Sequence, residues 1–102
     1  METIELSAFA IAEKVQAGEL SAVEVLEAAL ERVAAVDGRP GSLDYGKLTD
    51  EDRQRVHAFI PLTKDRAYEQ ARAIDDQVQA GDRVGPLAGV PLTVKDIFCV
   101  KD

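Results

Sequence analysis

The chain has 102 residues, enough for one small domain with a modest hydrophobic core. Hydrophobic residues make up 46% and charged residues 30% of the sequence, a globular composition that excludes a disordered or fibrous chain. The net charge is −7 and no block of basic residues is present, so this chain by itself is expected to be a poor binder of nucleic acid.

The sequence also bears on the cellular compartment. Cys99 is the single cysteine, which excludes an internal disulfide and fits a reducing compartment. The first residues are acidic and lack the basic segment and apolar stretch of a signal peptide. No apolar run approaches the ~20 residues that a membrane helix needs. We therefore expect a cytoplasmic protein.

Residues 1–37 are predicted to form a helical hairpin. The first helix runs from Ser7, a candidate N-cap, to Ala17, and Gly18 suits the left-handed position that follows. The second begins at Ser21, which forms a capping box with Glu24. Residues at helical spacing form the inner faces of the two helices: Ala8, Ile11, Ala12 and Val15 in the first, and Val23, Leu26, Leu30 and Val33 in the second.

The following residues, 38–56, are predicted to be a loop that contains one short helix. Glycine, proline, serine and aspartate dominate Asp37–Tyr45, which favours irregular backbone. The three acidic residues that follow Thr49 indicate a helix N-terminus, because acids are favoured at the positive end of the helix dipole.

Residues 57–102 are predicted to form a β-α-β unit. His57–Leu62 and Val90–Val94 are short apolar segments typical of buried strands. Between them, Thr63 is a candidate cap for a third helix that Gly81 ends, with an inner face of Ala67, Ala71, Ile74 and Val78. The predicted fold class is therefore α/β: a helical hairpin followed by two parallel strands joined by a right-handed crossover.

Lys95 and Asp96 directly follow the second predicted strand. A lysine at the end of a buried strand can be partly dehydrated, which disfavours its ammonium form and lets it act as a general base. A solvated lysine–aspartate pair at a strand end is the more common interpretation of this spacing, and periodicity alone does not distinguish Lys95 from Lys101. Asp96 could orient Lys95 or remain a solvated acid.

The other chemically capable residues favour structural roles. His57 is the only histidine, which argues against a histidine-based triad or a multi-histidine metal site. No cluster of positive charge accompanies Cys99, so it is expected to be an ordinary thiol. Of the three serines, Ser7 and Ser21 are expected to cap helices and Ser42 to lie in the loop.

Several ordered motifs resemble the amidase-signature family. The segment from Gly85 to Asp96 resembles its lysine motif, G-P-L-x-G-[IV]-P-[hydrophobic]-x-[VI]-K-D-N, although Ile97 stands where asparagine is common. Upstream, Gly18–Val25 resembles the family's G-E-[LV]-[ST]-[SA]-x-E-[LV] helix entry, and Ala58–Ile60 resembles its N-A-F-[IV] strand, with His57 in place of the asparagine. The helix segment Ala67–Ala71 resembles A-x-x-Q-A, so the resemblance covers nearly the whole chain.

The resemblance implies the N-terminal part of the family's mixed-sheet fold and a Ser-cisSer-Lys triad. Lys95 would be the catalytic lysine, with Asp96 in a supporting role, and it would deprotonate a bridging serine that activates a nucleophilic serine. In the family both serines follow the lysine by several dozen residues or more, whereas this chain has seven residues after Lys95. We therefore expect a fragment that is inactive alone and has unpaired sheet edges, with marginal stability or self-association.

Within the family, Lys95–Asp102 is most similar to the K-D-N-[hydrophobic]-C-x-K-G segment of the glutamine-dependent amidotransferase branch, including Cys99 and Lys101. This branch implies glutamine as the amide donor, partnership with the B and C subunits of an amidotransferase, and tRNA that is bound through the B subunit. It implies no cofactor or metal in this chain, with ATP and Mg²⁺ on one of the partners. A stand-alone amidase and a non-catalytic scaffold or interaction fragment are the alternatives.

Overall fold

The computed structural model describes residues 2–39, 44–59 and 62–94, with the backbone only at Tyr45. The chain divides into two compact units, which we call the first unit (Met1–Ala29 with Thr63–Asp102) and the second unit (Leu30–Leu62). The described helices are α1 (Ala8–Gln16), α2 (Ala22–Val36), α3 (Asp50–Arg53) and α4 (Lys64–Gln79), together with 3₁₀ turns at Thr3–Glu5 and Tyr45–Lys47.

The ends of α1 and the start of α2 form as their sequences predict. The Ser7 hydroxyl accepts a hydrogen bond from the Ala10 N–H at 3.1 Å, and Gly18 follows α1 at a φ of 75°. At α2, the Ser21 hydroxyl accepts from the Glu24 N–H at 3.0 Å, while the Glu24 carboxylate accepts from the Ser21 N–H at 3.3 Å. Both local cap predictions are confirmed, because they depend only on residues three positions apart.

The core of the first unit is small and aliphatic. Val15 is its most deeply buried side chain, with 1% of its surface exposed. The α2 face differs from the prediction: Ala22 and Val25 are buried, whereas Val23 and Leu26 are only half-buried. The predicted face of α4 agrees better with the structure: Ala71 is buried, and the other apolar residues of that face are half-buried. The buried cluster consists of Ile11, Val15, Ala22, Val25 and Ala71.

A carboxylate from α4 completes the N-terminus of α2. Asp75 Oδ1 accepts from the Ala22 N–H at 2.6 Å, and its Oδ2 accepts from the Val23 N–H at 3.2 Å. These are two of the backbone donors that the first turn of a helix leaves without an internal partner. Asp75 therefore joins α4 to α2 through groups that neither helix could satisfy alone.

The predicted α/β fold class is wrong for the described residues, which contain helices and no strand. His57, where the first strand should begin, has a φ of 54°, in the left-handed region that extended backbone does not use. The N–H groups of His57 and Ala58 donate to Asp37 instead of to a neighbouring strand. Ile60 and Pro61 lie outside the described residues.

The second predicted strand, Val90–Val94, is also absent. A strand exists only through a ladder of hydrogen bonds to a neighbour, and these five residues form none with the described part of the chain. The crossover helix forms as α4, but the Thr63 side chain makes no capping hydrogen bond. Local sequence therefore specified the helix between the two segments and not the pairing of the segments.

Among the described helices, none combines the length and the apolar character needed to cross a membrane.

Candidate functional site

The predicted catalytic residues follow the last described residue of their motif. Lys95, Asp96 and Cys99 lie outside the described residues, which end at Val94. Their predicted roles therefore stay predictions. The structure does describe the segment that leads into Lys95, and helix α1 contacts this segment.

A turn opens the lysine segment. The Ala88 N–H donates to the Gly85 carbonyl at 3.1 Å, and the Val90 N–H donates to the Leu87 carbonyl at 3.1 Å. Ala88 is buried, whereas Leu87 is 62% exposed. The turn is therefore fixed by its own backbone hydrogen bonds and by one small side chain that points inward.

Helix α1 contacts this turn at two points. The Gln16 side chain donates from Nε2 to the Gly85 carbonyl at 3.2 Å. Gly89, with a φ of 81°, lies against Val15, and a Cβ at position 89 would come within 2.7 Å of the Val15 Cγ2 atom. Both the backbone angle and the close contact require glycine here.

After the turn, the chain runs out to the surface. Val90 is half-buried against the core, but Leu92 is 74% and Val94 is 51% exposed. Beside Val90 and Pro91 is an apolar groove of about 220 Å³, lined also by residues of the first 3₁₀ turn, α1 and α2. The segment thus reaches Lys95 with apolar side chains that the described chain leaves uncovered.

The second unit contains a buried polar cluster that the sequence did not predict. Asp52 is only 6% exposed and receives two hydrogen bonds from Arg39, at 2.9 Å and 2.8 Å. Thr49 and Asp52 also form the capping box of α3, in which each side chain accepts from the other residue's N–H. The hydrogen bonds from Arg39 and from the Thr49 N–H hold the pKa of Asp52 well below its usual range.

Asp37 and His57 extend this cluster. Asp37 is 3% exposed, and its carboxylate accepts from the N–H groups of Ala58 and, at 3.4 Å, Phe59. His57 donates from Nε2 to the Asp52 carbonyl, and its Nδ1 is buried with no partner among the described residues. The cluster therefore ties the end of α2 and α3 to the segment that follows α3.

The sequence carried little signal for this cluster. The sequence indicated a helix N-terminus at Thr49, but neither the capping box of Thr49 and Asp52 nor the hydrogen bonds from Arg39 to Asp52. The Asp37 contacts join residues 21 and 22 positions apart, without periodic spacing, and their donors, Ala58 and Phe59, were predicted to lie in a strand. An acidic residue directly after a helix gives no indication of burial.

The chemistry of the cluster favours structure over catalysis. Each buried carboxylate is occupied by donors from its own unit, which leaves neither free to accept a substrate proton. Among the described residues, no group of three or more His, Cys, Asp or Glu side chains could hold a metal ion. The hydroxyls of Ser7 and Ser21 serve as helix caps, as predicted, and Ser42 lies outside the described residues.

Residues 45–102 match the sequence model of the family described as Amidase. The A subunit of the glutamyl-tRNA(Gln) amidotransferase of Thermobifida fusca is 42% identical over 101 residues, which cover 99% of this chain and 17% of that protein. The proteins of the same name from Streptomyces coelicolor and Streptomyces avermitilis are 43% and 45% identical over 97 and 95 residues, covering 95% and 93% of this chain and 16% of each relative.

The chain thus spans about 17% of the length of the first of these relatives. No solved structure gives a significant match.

Proposed function

The chain belongs to the amidase family, and on that premise we propose that it is the N-terminal portion of the amide-hydrolysing A subunit of a glutamyl-tRNA(Gln) amidotransferase. The observation that carries the proposal is the 42% identity to a protein of that name over 99% of this chain. The matched family region includes Lys95 and the whole lysine segment. Residues 1–102 would then be part of one amidase domain whose remainder lies beyond this chain.

The proposed chemistry is hydrolysis of the glutamine side-chain amide. Lys95 takes the proton of a bridging serine, and that serine takes the proton of a second serine as it attacks the amide carbonyl. The proton is returned through the bridging serine to the amide nitrogen, the carbon–nitrogen bond breaks, and ammonia leaves. Water then releases glutamate from the acyl-enzyme. Asp96 is proposed to orient Lys95, and both serines come from the remainder of the domain.

The partners follow from the same proposal. The B subunit of the amidotransferase receives the ammonia and binds the charged tRNA, and the C subunit completes the complex. ATP and Mg²⁺ act on one of these partners, and no cofactor is assigned to this chain. The net charge of −7 supports the assignment of tRNA binding to the B subunit, because a strongly acidic chain repels the phosphates of tRNA.

The test is ammonia release from glutamine by the full-length protein, measured with and without the B and C subunits, ATP, Mg²⁺ and glutamyl-tRNA(Gln). We expect glutaminase activity that rises when the partners and the charged tRNA are present. The matched control replaces glutamyl-tRNA(Gln) with the same tRNA uncharged.

Two other outcomes would overturn the proposal. Hydrolysis of simple amides at a rate that is the same with and without the partners and the tRNA would identify a stand-alone amidase. No amide hydrolysis, together with a reading frame that stops after Asp102, would leave a non-catalytic interaction fragment.

A further inference from the structure

Two buried carboxylates lie in the described part of the second unit, and one residue contacts the sites of both. Asp37 and Asp52 are its buried residues, and none of its described apolar side chains is buried. His57 donates from its backbone N–H to the Asp37 carbonyl and from ring Nε2 to the Asp52 carbonyl. We propose that His57 couples the two sites, so that residues 49–59 open and close as one cooperative segment at the end of α2.

The Asp37 site attaches the backbone after α3 to the last turn of α2. The Val56 N–H donates to the Val36 carbonyl at 2.9 Å, and the His57 N–H donates to the Asp37 carbonyl at 2.9 Å. The last carbonyls of a helix have no partner within the helix, so these two hydrogen bonds complete the C-terminus of α2. The Asp37 carboxylate then accepts from the next two N–H groups along the chain.

The Asp52 site fixes α3. Its carboxylate accepts from the Thr49 N–H at 2.9 Å and from the Arg39 guanidinium at 2.9 Å and 2.8 Å. Its carbonyl accepts from the Arg55 N–H at 3.3 Å and from the His57 ring. Because a carbonyl oxygen can only accept, Nε2 carries the proton of the ring. The His57 imidazole thus contacts the residue whose carboxylate caps α3.

His57 holds an unfavourable conformation between the two sites. Its φ is 54°, in the left-handed region that few residues other than glycine adopt, and its buried Nδ1 has no partner among the described residues. The ring lies against Gly38, where an added Cβ would come within 2.8 Å of Cε1. Strained backbone and unpaired buried polar atoms each cost free energy, so this conformation persists only while contacts on both sides hold it. Loss of either site should therefore release the other.

The second unit should open while the core of the first unit stays folded. Apolar burial is the main favourable term in folding, and the buried apolar residues of the described chain all belong to the first unit. Segments with few buried apolar contacts open at a lower free energy than a packed core. Amide exchange in residues 49–59 should therefore measure the opening of the second unit alone.

Arg55 also reaches both α2 and α3. Its Nη1 donates to the Ala35 carbonyl, and its Nη2 donates to the Glu51 carboxylate at 3.2 Å. The Glu51 side chain is 76% exposed, and exposed ion pairs contribute little because solvent screens them. We expect this link to be weaker than the link through His57.

Hydrogen exchange by mass spectrometry on the full-length protein tests the coupling from each end. Asp37→Ala removes the carboxylate at one site, and Asp52→Asn removes the charge at the other. We expect each change to speed exchange at the far site by about 5- to 30-fold, as for the loss of one or two buried hydrogen bonds. The far site is residues 52–55 for Asp37→Ala and residues 56–59 for Asp52→Asn.

His57→Asn removes the connection between the sites. Asparagine tolerates the left-handed backbone conformation but lacks the imidazole that reaches the Asp52 carbonyl. When His57→Asn is combined with either aspartate variant, exchange should be faster at the changed site, and the effect at the far site should be lost. Arg55→Met is the matched comparison, and in combination with it the far-site effects should remain.

Exchange in the first unit serves as the control for folding. The amides of α1 and α4 should exchange at wild-type rates in every variant, and the exposed Asp82→Ala variant should match wild type throughout.

Three results would overturn the proposal. Far-site effects that are equal with and without His57→Asn would show that His57 does not couple the sites. Effects of Asp37→Ala and Asp52→Asn that stay at their own sites in the presence of His57 would show that the segment does not open cooperatively. Loss of protection in α1 and α4 by the same factor as in residues 49–59 would show that the second unit does not open separately.

Discussion

Two buried aspartates stabilise the second unit by accepting hydrogen bonds from its backbone. Asp37 and Asp52 are 3% and 6% exposed, and both accept backbone N–H groups that secondary structure leaves unpaired. A buried donor without a partner costs about 1–3 kcal/mol. These carboxylates thus hold together a region with little apolar burial.

Replacement of Asp37 by alanine should destabilise the second unit locally. The change leaves the N–H groups of Ala58 and Phe59 without their acceptor, at a cost of about 1–3 kcal/mol. Hydrogen exchange by mass spectrometry should show faster exchange over residues 56–59. The exposed Asp82→Ala variant is the control, and equal protection in the two variants would contradict the assignment.

Asp52 should make the same region sensitive to acid. Its pKa lies below the ordinary value of 3.8, so its contribution to stability is present above that pH and is lost as the pH falls toward the folded-state pKa. Asp52→Asn lacks this contribution at every pH. The protection of residues 49–59 should differ between wild type and Asp52→Asn at neutral pH, and the difference should narrow below about pH 4. A difference that is constant with pH would contradict this explanation.

At the scale of whole elements, the helices were predictable because their signals are local. The caps at Ser7 and Ser21 need only residues three positions apart, and both form. The two predicted strands are wrong for the described residues, because a strand requires a hydrogen-bonding partner that no local pattern identifies. Val90–Val94 is apolar, but the segment forms no strand hydrogen bonds with the described part of the chain.

The N-terminus of α2 illustrates the limit of local prediction. The Ser21–Glu24 capping box was predicted, yet the donors of Ala22 and Val23 are satisfied by Asp75, more than 50 positions away. Because Asp75 lies among acidic and polar residues of α4, its spacing does not distinguish it from its neighbour Asp76.

This difference between neighbours gives a direct prediction. Asp75→Ala should lower the free energy of unfolding by about 1–2 kcal/mol, because a helix N-terminus loses the acceptor for two N–H groups. Asp76→Ala, one residue along the same helix, should change it by less than about 0.5 kcal/mol. Urea denaturation followed by circular dichroism measures both variants, and equal losses would show that Asp75 does not cap α2.

At the scale of the whole molecule, the sequence motifs identified the family before any fold was known. The lysine segment and the upstream motifs span nearly the whole chain, and the family match confirms them. The α/β architecture implied by the family is not present in the described residues. The chain covers 17% of the length of its relative from Thermobifida fusca.

Glutaminase activity in two lysine variants of the full-length protein tests most directly our proposal that Lys95 is the base of an amide-hydrolysing site. Lys95→Ala should lose on the order of 10²–10⁴-fold in kcat, as expected for removal of a general base. Lys101→Ala, six residues further on in the same segment, should retain wild-type activity. Equal activity in the two variants would contradict the assignment of Lys95 as the catalytic lysine.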